Sequence, residues 1–388
     1  SGPNYSVIGG QEYQGYYANG LIDRNLIWEK IKEFNFGVDF SVLQNRINLT
    51  ADTYRRLSDG QIMKATVPLE TGEGSITTNI GAVRNTGIEL GLNLGVIRNK
   101  NFTWDVNLAF ARNWSKITEL PNGDDVSNNW FIGERLNVLR DYTSAGIITT
   151  DGITMRTKDG DRHYTLQEVY DTFGPGGQGL KWYEGQMAVN DWNNDGKIND
   201  EDKQIFGCTD PKWTGSLSST MTYKGFDFSF MLYTKQGQWS RSYFHEQYMN
   251  YGDRGRQKVN FDYYIPAGTP VLDKNTGDVT YLSEAHIGKY PYPNNTEKTG
   301  GGYFSSSSAA VRYHKTSFVK VKNITLGYTF PKAWLSKIAV KHLRLYVNVI
   351  NPFCFTDYEG FDPEWASANL TNGGPASVTY QIGANIKF

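Results

Sequence analysis

The stretch Ser377 to Phe388, SVTYQIGANIKF, constrains this chain more than any other. Val378, Tyr380, Ile382, Ala384, Ile386 and Phe388 are apolar or small, and they alternate without an error against Ser377, Thr379, Gln381, Gly383, Asn385 and Lys387. Strict period two specifies a strand with one greasy and one polar face. A membrane barrel needs such a strand, greasy toward lipid and polar toward a wet lumen. A half-buried strand of a soluble sheet shows the same alternation, so this stretch alone leaves both readings open.

The pattern recurs. Phe34 to Val42 alternates, turns at Leu43 to Arg46 and returns from Ile47 to Thr53 as a hairpin. Ile88 to Val96 and Phe102 to Phe110 form a second pair around Arg98-Asn99-Lys100, and Trp213 to Tyr223 and Phe226 to Leu232 a third around Lys224-Gly225. Phe318 to Phe330 changes apolar phase midway, which a bulge near Lys322-Asn323 repairs. Leu343 to Val349 and the terminal stretch bring the total to about nine strands.

The connections between them alternate short and long: 43 to 46, 98 to 100, 224 to 225 and the moderate 331 to 342 on one side, and long stretches including 112–212 and 235–317 on the other. Small turns at one end and large loops at the other are the habit of outer-membrane barrels, and by that parity Phe388 ends in the periplasm. The first strand already runs downward, so strands are missing: either the region before Phe34 hides one or, as loops near a hundred residues favour, earlier strands are expected upstream of Ser1. Composition agrees: 25 Tyr, 20 Phe and 10 Trp accompany a mean hydropathy of only -0.52. Barrels combine the two because only alternate residues face lipid. No apolar run reaches the roughly 18 to 20 residues of a membrane helix.

A net charge of -1 gives no general attraction to nucleic acid. The two cysteines, Cys208 and Cys354, have neither CxxC nor metal-ligand spacing, and whether they pair is open. The chain starts Ser1-Gly2-Pro3 without an export signal, which is expected upstream.

Several stretches resemble, in order, the carboxyl-terminal half of a SusC/RagA-like TonB-dependent outer-membrane transporter. They are Leu26-Ile27-Trp28-Glu29-Lys30, Asn79-Ile80-Gly81-Ala82-Val83-Arg84-Asn85-Thr86-Gly87-Ile88-Glu89-Leu90 and Ser144-Ala145-Gly146-Ile147. Asn194-Asp195-Gly196-Lys197-Ile198, Val321-Lys322-Asn323-Ile324-Thr325-Leu326-Gly327-Tyr328, Val349-Ile350-Asn351-Pro352-Phe353 and Asp357-Tyr358-Glu359-Gly360-Phe361-Asp362-Pro363-Glu364 complete the series. The resemblance implies an all-β fold: residues 1–388 as the later strands of a large plugged barrel of about 22 strands. It also implies a SusD-like surface lipoprotein as a lid, oligosaccharide or peptide cargo, and energy from TonB. The plug and the TonB-contacting segment are amino-terminal in that family and match nothing here.

The sharpest local chemistry is Asp191 to Asp202, DWNNDGKINDED. Oxygen side chains at loop positions 1, 3, 5, 9 and 12, with Gly at 6, follow a calcium loop. The expected Ca2+ ligands are Asp191, Asn193, Asp195, the Lys197 carbonyl, Asn199 and Asp202, in a structural role. Asp at position 12, where an EF-hand has Glu, points to a lone dockerin-like loop. Aromatics crowd the expected external loops: Trp130, Trp182, Tyr183, Trp192, Trp239, Tyr243, Tyr248, Tyr251 and Trp365. As a set they suit ligand or lid contact. On the terminal strand Tyr380, Gly383, Ile386 and Phe388 are the expected barrel-assembly residues.

The five histidines are scattered, and HExxH, GxSxG and GxxxxGK are all missing from the sequence, so no catalytic residue is assigned. Two rivals remain: a secreted soluble β-protein that binds or cleaves glycans, and an iron-chelate receptor barrel.

Overall fold

The computed structural model describes residues 4–15, 21–71, 74–79, 81–120, 123–174, 179–248, 262–273, 275–292, 309–335, 340–368 and 377–388. Its main feature is a nine-stranded antiparallel meander in which each strand pairs with the next in sequence. The strands are β1 Lys30–Val42, β2 Ile47–Asp59, β3 Ala82–Arg98, β4 Phe102–Glu119, β5 Trp213–Tyr223, β6 Phe226–Gln236, β7 Phe318–Thr329, β8 His342–Phe355 and β9 Thr379–Lys387. All nine expected strands are present. The chain divides into two compact units, Ser1–Asn93 with Ala109–Asn137, and Leu94–Leu108 with Val138–Phe388.

In the first unit, β1 and β2 pair in register from Lys30↔Asp59 to Val42↔Ile47. Leu43, Gln44 and Asn45 reverse the chain in the left-handed region. Phe34, Phe36, Val38 and Phe40 stand exposed on one face of β1, as a lipid-facing stripe requires. Leu26 to Lys30 is clamped by Asn79, whose Oδ1 accepts from Ile27 N at 2.7 Å and whose Nδ2 donates to Ile27 O and Gly60 O at 2.8 and 2.6 Å. One amide thus ties two of the family-like stretches together.

In the second unit, β5 and β6 are joined by a two-residue turn, Lys224 at φ 47° and Gly225 at φ 92°. Both central residues have positive φ, the twist a two-residue hairpin prefers. The expected bulge exists: Met231 pairs with Asn323 and Leu232 with Val321, so Lys322 has no partner in β6. Across the strand, Val321 pairs with Phe353 and Asn323 with Ile350, which places Asn351 and Pro352 at the same irregularity. Proline cannot donate to a ladder and belongs at such a bulge. β8 and β9 pair continuously from His342↔Lys387 to Ile350↔Thr379. On the polar face Arg344 bonds Asp227 through Nε at 2.9 Å and Nη2 at 2.5 Å, and Asn348 bonds Gln381 at 3.0 Å.

The loop boundaries need correction. β4 has 18 residues and reaches Glu119, so the first long loop starts after 119 and not at 112; β6 runs to Gln236, past the expected 235. A membrane strand needs only about 9 to 11 residues, and the extra length of β4 lies where Arg112, Asn113, Ser115 and Lys116 remove the apolar alternation. The loops also fold. Strands Val138–Asp141 and Gln204–Cys208 pair, as do Ser144–Ile147 and Met187–Val189, while Ile153–Thr157 and Gly160–Tyr164 form a hairpin. The helix Leu166–Phe173 has a capping box between Thr165 and Glu168 and buries Val169. Around it Ile148, Met155, Tyr164, Tyr183 and Ala188 make a core, and Ile147, Met187, Tyr264, Tyr290 and Val311 make another shared with the second long loop. Parts of that second loop, including Tyr251 and the side chain of Tyr248, lie outside the described residues.

Candidate functional site

The segment 191–202 leaves the strand Met187–Val189 and enters Gln204–Cys208. Asp191 and Asp202 are fully buried. Asp191 accepts from Asp195 N at 3.2 Å and Gly196 N at 2.9 Å. Asp202 accepts from Trp192 N, Asn193 N and Asn199 N at 2.8, 3.3 and 2.8 Å. Asn193 accepts from Asp195 N, Asp195 from Lys197 N, and Asn199 caps the turn Asp200–Asp202. Gly196, at φ 77°, makes the sharp bend that the sixth position requires. Burial, with Asp191 adding its charge, pushes the Asp202 carboxyl above the ordinary range against the pull of its N–H donors. The loop is therefore closed by carboxylate-to-backbone bonds. Among the described residues no three His, Cys, Asp or Glu side chains gather as a metal-holding group.

The aromatic set divides. Tyr183 is fully buried with its ring edge-on to Trp182 at 4.9 Å and to Tyr170 at 5.9 Å, so it is a core residue and its assignment to ligand or lid contact is corrected. Trp182 packs on the same core. Trp239 is half-buried, set edge-on to Phe206 at 5.6 Å, with the Lys315 ammonium 5.5 Å from its ring. Tyr243 is half-buried and its N–H bonds Ala366 O at 3.0 Å. Trp192 and Trp130 are half-buried, and Trp130 is bridged to Asp125. Trp365 is 49 % exposed, which leaves it the most open of the set among the described residues. Tyr380 and Ile386 are exposed on β9 and Phe388 just past its end, and Gly383 faces Tyr346.

Two clusters had no signature in the sequence. His245 and His314 stack with ring centres 3.6 Å apart and 16° between planes, His245 buried and His314 half-buried. Ser242 Oγ bonds His245 Nδ1 and Tyr358 OH, each at 2.6 Å, and His245 Nε2 lies 3.2 Å from Tyr290 OH. Tyr290 and Lys289 both donate to Glu359. Burial pushes His245 down to about 2, with His314 and Lys289 adding to the shift, and burial lowers His314 as well. In the second cluster the buried Lys320 ammonium bonds both Asp362 oxygens at 2.9 Å and Glu364 at 2.5 Å, and Lys322 bonds Glu364 at 2.8 Å. The family-like stretch 357–364 is thereby fastened both to β7 and to the second long loop.

A consecutive antiparallel meander with apolar outer stripes, short turns at one end and folded loops at the other, defines a barrel of the bacterial outer membrane. Residues 2–351 match the family model described as TonB dependent receptor-like, beta-barrel, and the chain belongs to that family. It is 28% identical to TonB-dependent receptor P39 of Formosa agariphila, over 96% of this chain and 37% of that protein. It is 29% identical to TonB-dependent receptor SusC of Bacteroides thetaiotaomicron, over 96% of this chain and 34% of that protein. The structure of the RagAB peptide transporter superposes with a TM-score of 0.65 at 20% identity, covering 100% of this chain and 38% of the other. The chain thus spans a little over a third of the length of the relatives it matches.

Proposed function

We propose that this chain is the carboxyl-terminal barrel portion of an outer-membrane nutrient importer that takes up oligosaccharides or peptides with energy from TonB, under a SusD-like surface lipoprotein. It works by binding and transport and not by catalysis. The observation that carries the reading is the antiparallel meander in which short turns alternate with long loops that fold around cores of their own, the habit of an outer-membrane barrel. Family membership and the relatives' names support it. The TonB-contacting residues belong to a segment outside this chain. The calcium assignment of 191–202 is part of the proposal: the oxygen spacing and the bend at Gly196 suit an ion that would hold the first long loop in shape.

The test is fractionation of the native host, detergent extraction of outer membranes and mass spectrometry of what copurifies. Recovery in the outer membrane within a longer polypeptide, together with a surface lipoprotein, is expected. Recovery in the soluble secreted fraction, or in the outer membrane without any lipoprotein partner, overturns the lidded importer.

A further inference from the structure

A cleft of about 400 Å³ opens in the first long loop, walled by Thr143 to Ala145, by the hairpin Ile153–Tyr164 through Thr154, Arg156 and Asp161, and by Gln204 to Phe206. Its size falls in the small-ligand range of about 300 to 1,000 Å³. The segment 191–202 runs from one wall to the other, since Asn190 and Gln204 both line the cleft. Asp202 closes that segment by accepting from Trp192 N and Asn193 N. Asn190 is a strut: its amide bonds Thr143 O, Thr143 Oγ1, Ser144 O and Arg156 N. Ser144 and Thr154 are likewise engaged, with Met187 Sδ and His163 Nδ1.

Three polar groups are left over. Arg156 and Asp161 are register partners on the two hairpin strands, yet they form no ion pair with each other. Neither side chain has a partner among the described residues. Gln204 Nε2 is buried in the wall with no acceptor there. A guanidinium fork donates to two neighbouring oxygens, and a carboxylate accepts from two neighbouring hydroxyls. A neutral polyol is the ligand whose vicinal hydroxyls serve both at once, and it adds no net charge to a cleft that has none. Peptide side chains would want apolar depth. The cleft offers Ala145, Ile205 and Phe206, and the Phe206 ring is already edge-packed against Trp239 and Tyr313 at 5.6 and 5.2 Å.

We propose that this cleft is a saccharide subsite of the external mouth, holding neutral sugar through bonds from Arg156 and to Asp161. It rests on the importer reading. The test uses the full-length transporter in detergent, titrated calorimetrically with a panel of neutral hexasaccharides (α- and β-glucan, xylan, mannan) and, separately, with tripeptides. Arg156→Leu and Asp161→Asn are each expected to weaken binding of the recognised glycan tenfold or more at unchanged melting temperature, while Lys158→Gln on the same hairpin binds as wild type. Both side chains are exposed and unpaired, so neither substitution removes a folding contact. Binding of no panel glycan, binding of tripeptides alone, or variants indistinguishable from wild type overturns the subsite. Outer-membrane recovery and energy-dependent uptake are measured on the same strains. An importer that localises and transports normally, with cleft variants that bind as wild type, sinks the subsite and leaves the importer standing.

Discussion

Tyr346 and Gly383 are cross-strand partners on β8 and β9, and a Cβ placed on Gly383 would overlap the Tyr346 ring. The ring therefore lies over the terminal strand where any larger residue would hold it off. The Arg344 guanidinium sits 5.0 Å from the same ring. Gly383→Val is expected to cost about 1 to 3 kcal/mol by overpacking and to lower the fraction of transporter that migrates as the compact form on unheated gels. Adding Tyr346→Ala should restore most of it. If the double variant is as poor as the single one, the glycine matters for some other reason.

Lys320 and Asp362 are 2 % and 7 % exposed, so their pair is a buried one. Such a pair contributes little beyond a hydrophobic replacement, and removing Asp362 leaves the buried Lys320 ammonium with Glu364 alone, so the cost is expected below the roughly 3 to 5 kcal/mol of a fully stranded charge. Asp362→Ala should free the last loop to protease while leaving the sheet intact, and Lys320→Met with Asp362→Leu should recover protection. Equal cleavage of wild type and Asp362→Ala would show that the loop is held elsewhere.

The strands were legible in the sequence because period two is enforced wherever one face meets lipid, from Phe34 to Phe40 as in Tyr380 to Phe388. Even the Lys322 bulge was legible, as a slip of phase. Beyond the membrane that demand lapses, which hid the upper part of β4 from Arg112 to Glu119. The folded loops were illegible for another reason: their contacts are remote. Ser242 meets Tyr358 across 116 positions and Lys320 meets Asp362 across 42, and no local pattern announces such partners. Tyr183 reads as a surface aromatic from its polar neighbours, yet the helix Leu166–Phe173 covers it. The segment 191–202 is the opposite case, since the bonds from backbone N–H groups to the Asp191 and Asp202 carboxylates span at most ten positions, although Lys158 N and Arg162 also reach it from the neighbouring hairpin.

Protonating His245 or His314 would place an imidazolium beside a second imidazole and Lys289, with Glu359 facing them through Tyr290 and Tyr358 at the edge. Both histidines have folded values below the unfolded one. The stabilisation is therefore full above about pH 6.5 and is lost as pH falls below it, at up to about 1.4 kcal/mol per pH unit for each proton. Limited proteolysis of the second long loop should be faster at about pH 5 than at about pH 7.5. His245→Gln should remove most of that difference. A cleavage rate independent of pH in the wild type would contradict the burial of a neutral pair.

Chelation tests the ion in the first long loop. Asp195 is exposed and engaged only locally, by accepting from Lys197 N at 2.8 Å, so its removal disturbs little in the closed loop itself. If Ca2+ binds there, Asp195 supplies a ligand at the fifth position, and its loss weakens the ion without unfolding the core around Tyr183. Chelator and Asp195→Ala should then speed protease cleavage within 191–202 to the same extent, and added Ca2+ should reverse the first and not the second. If the carboxylate-to-backbone bonds of Asp191 and Asp202 are enough by themselves, wild type, chelated protein and Asp195→Ala will be cut at one rate, and the segment is a metal-free turn.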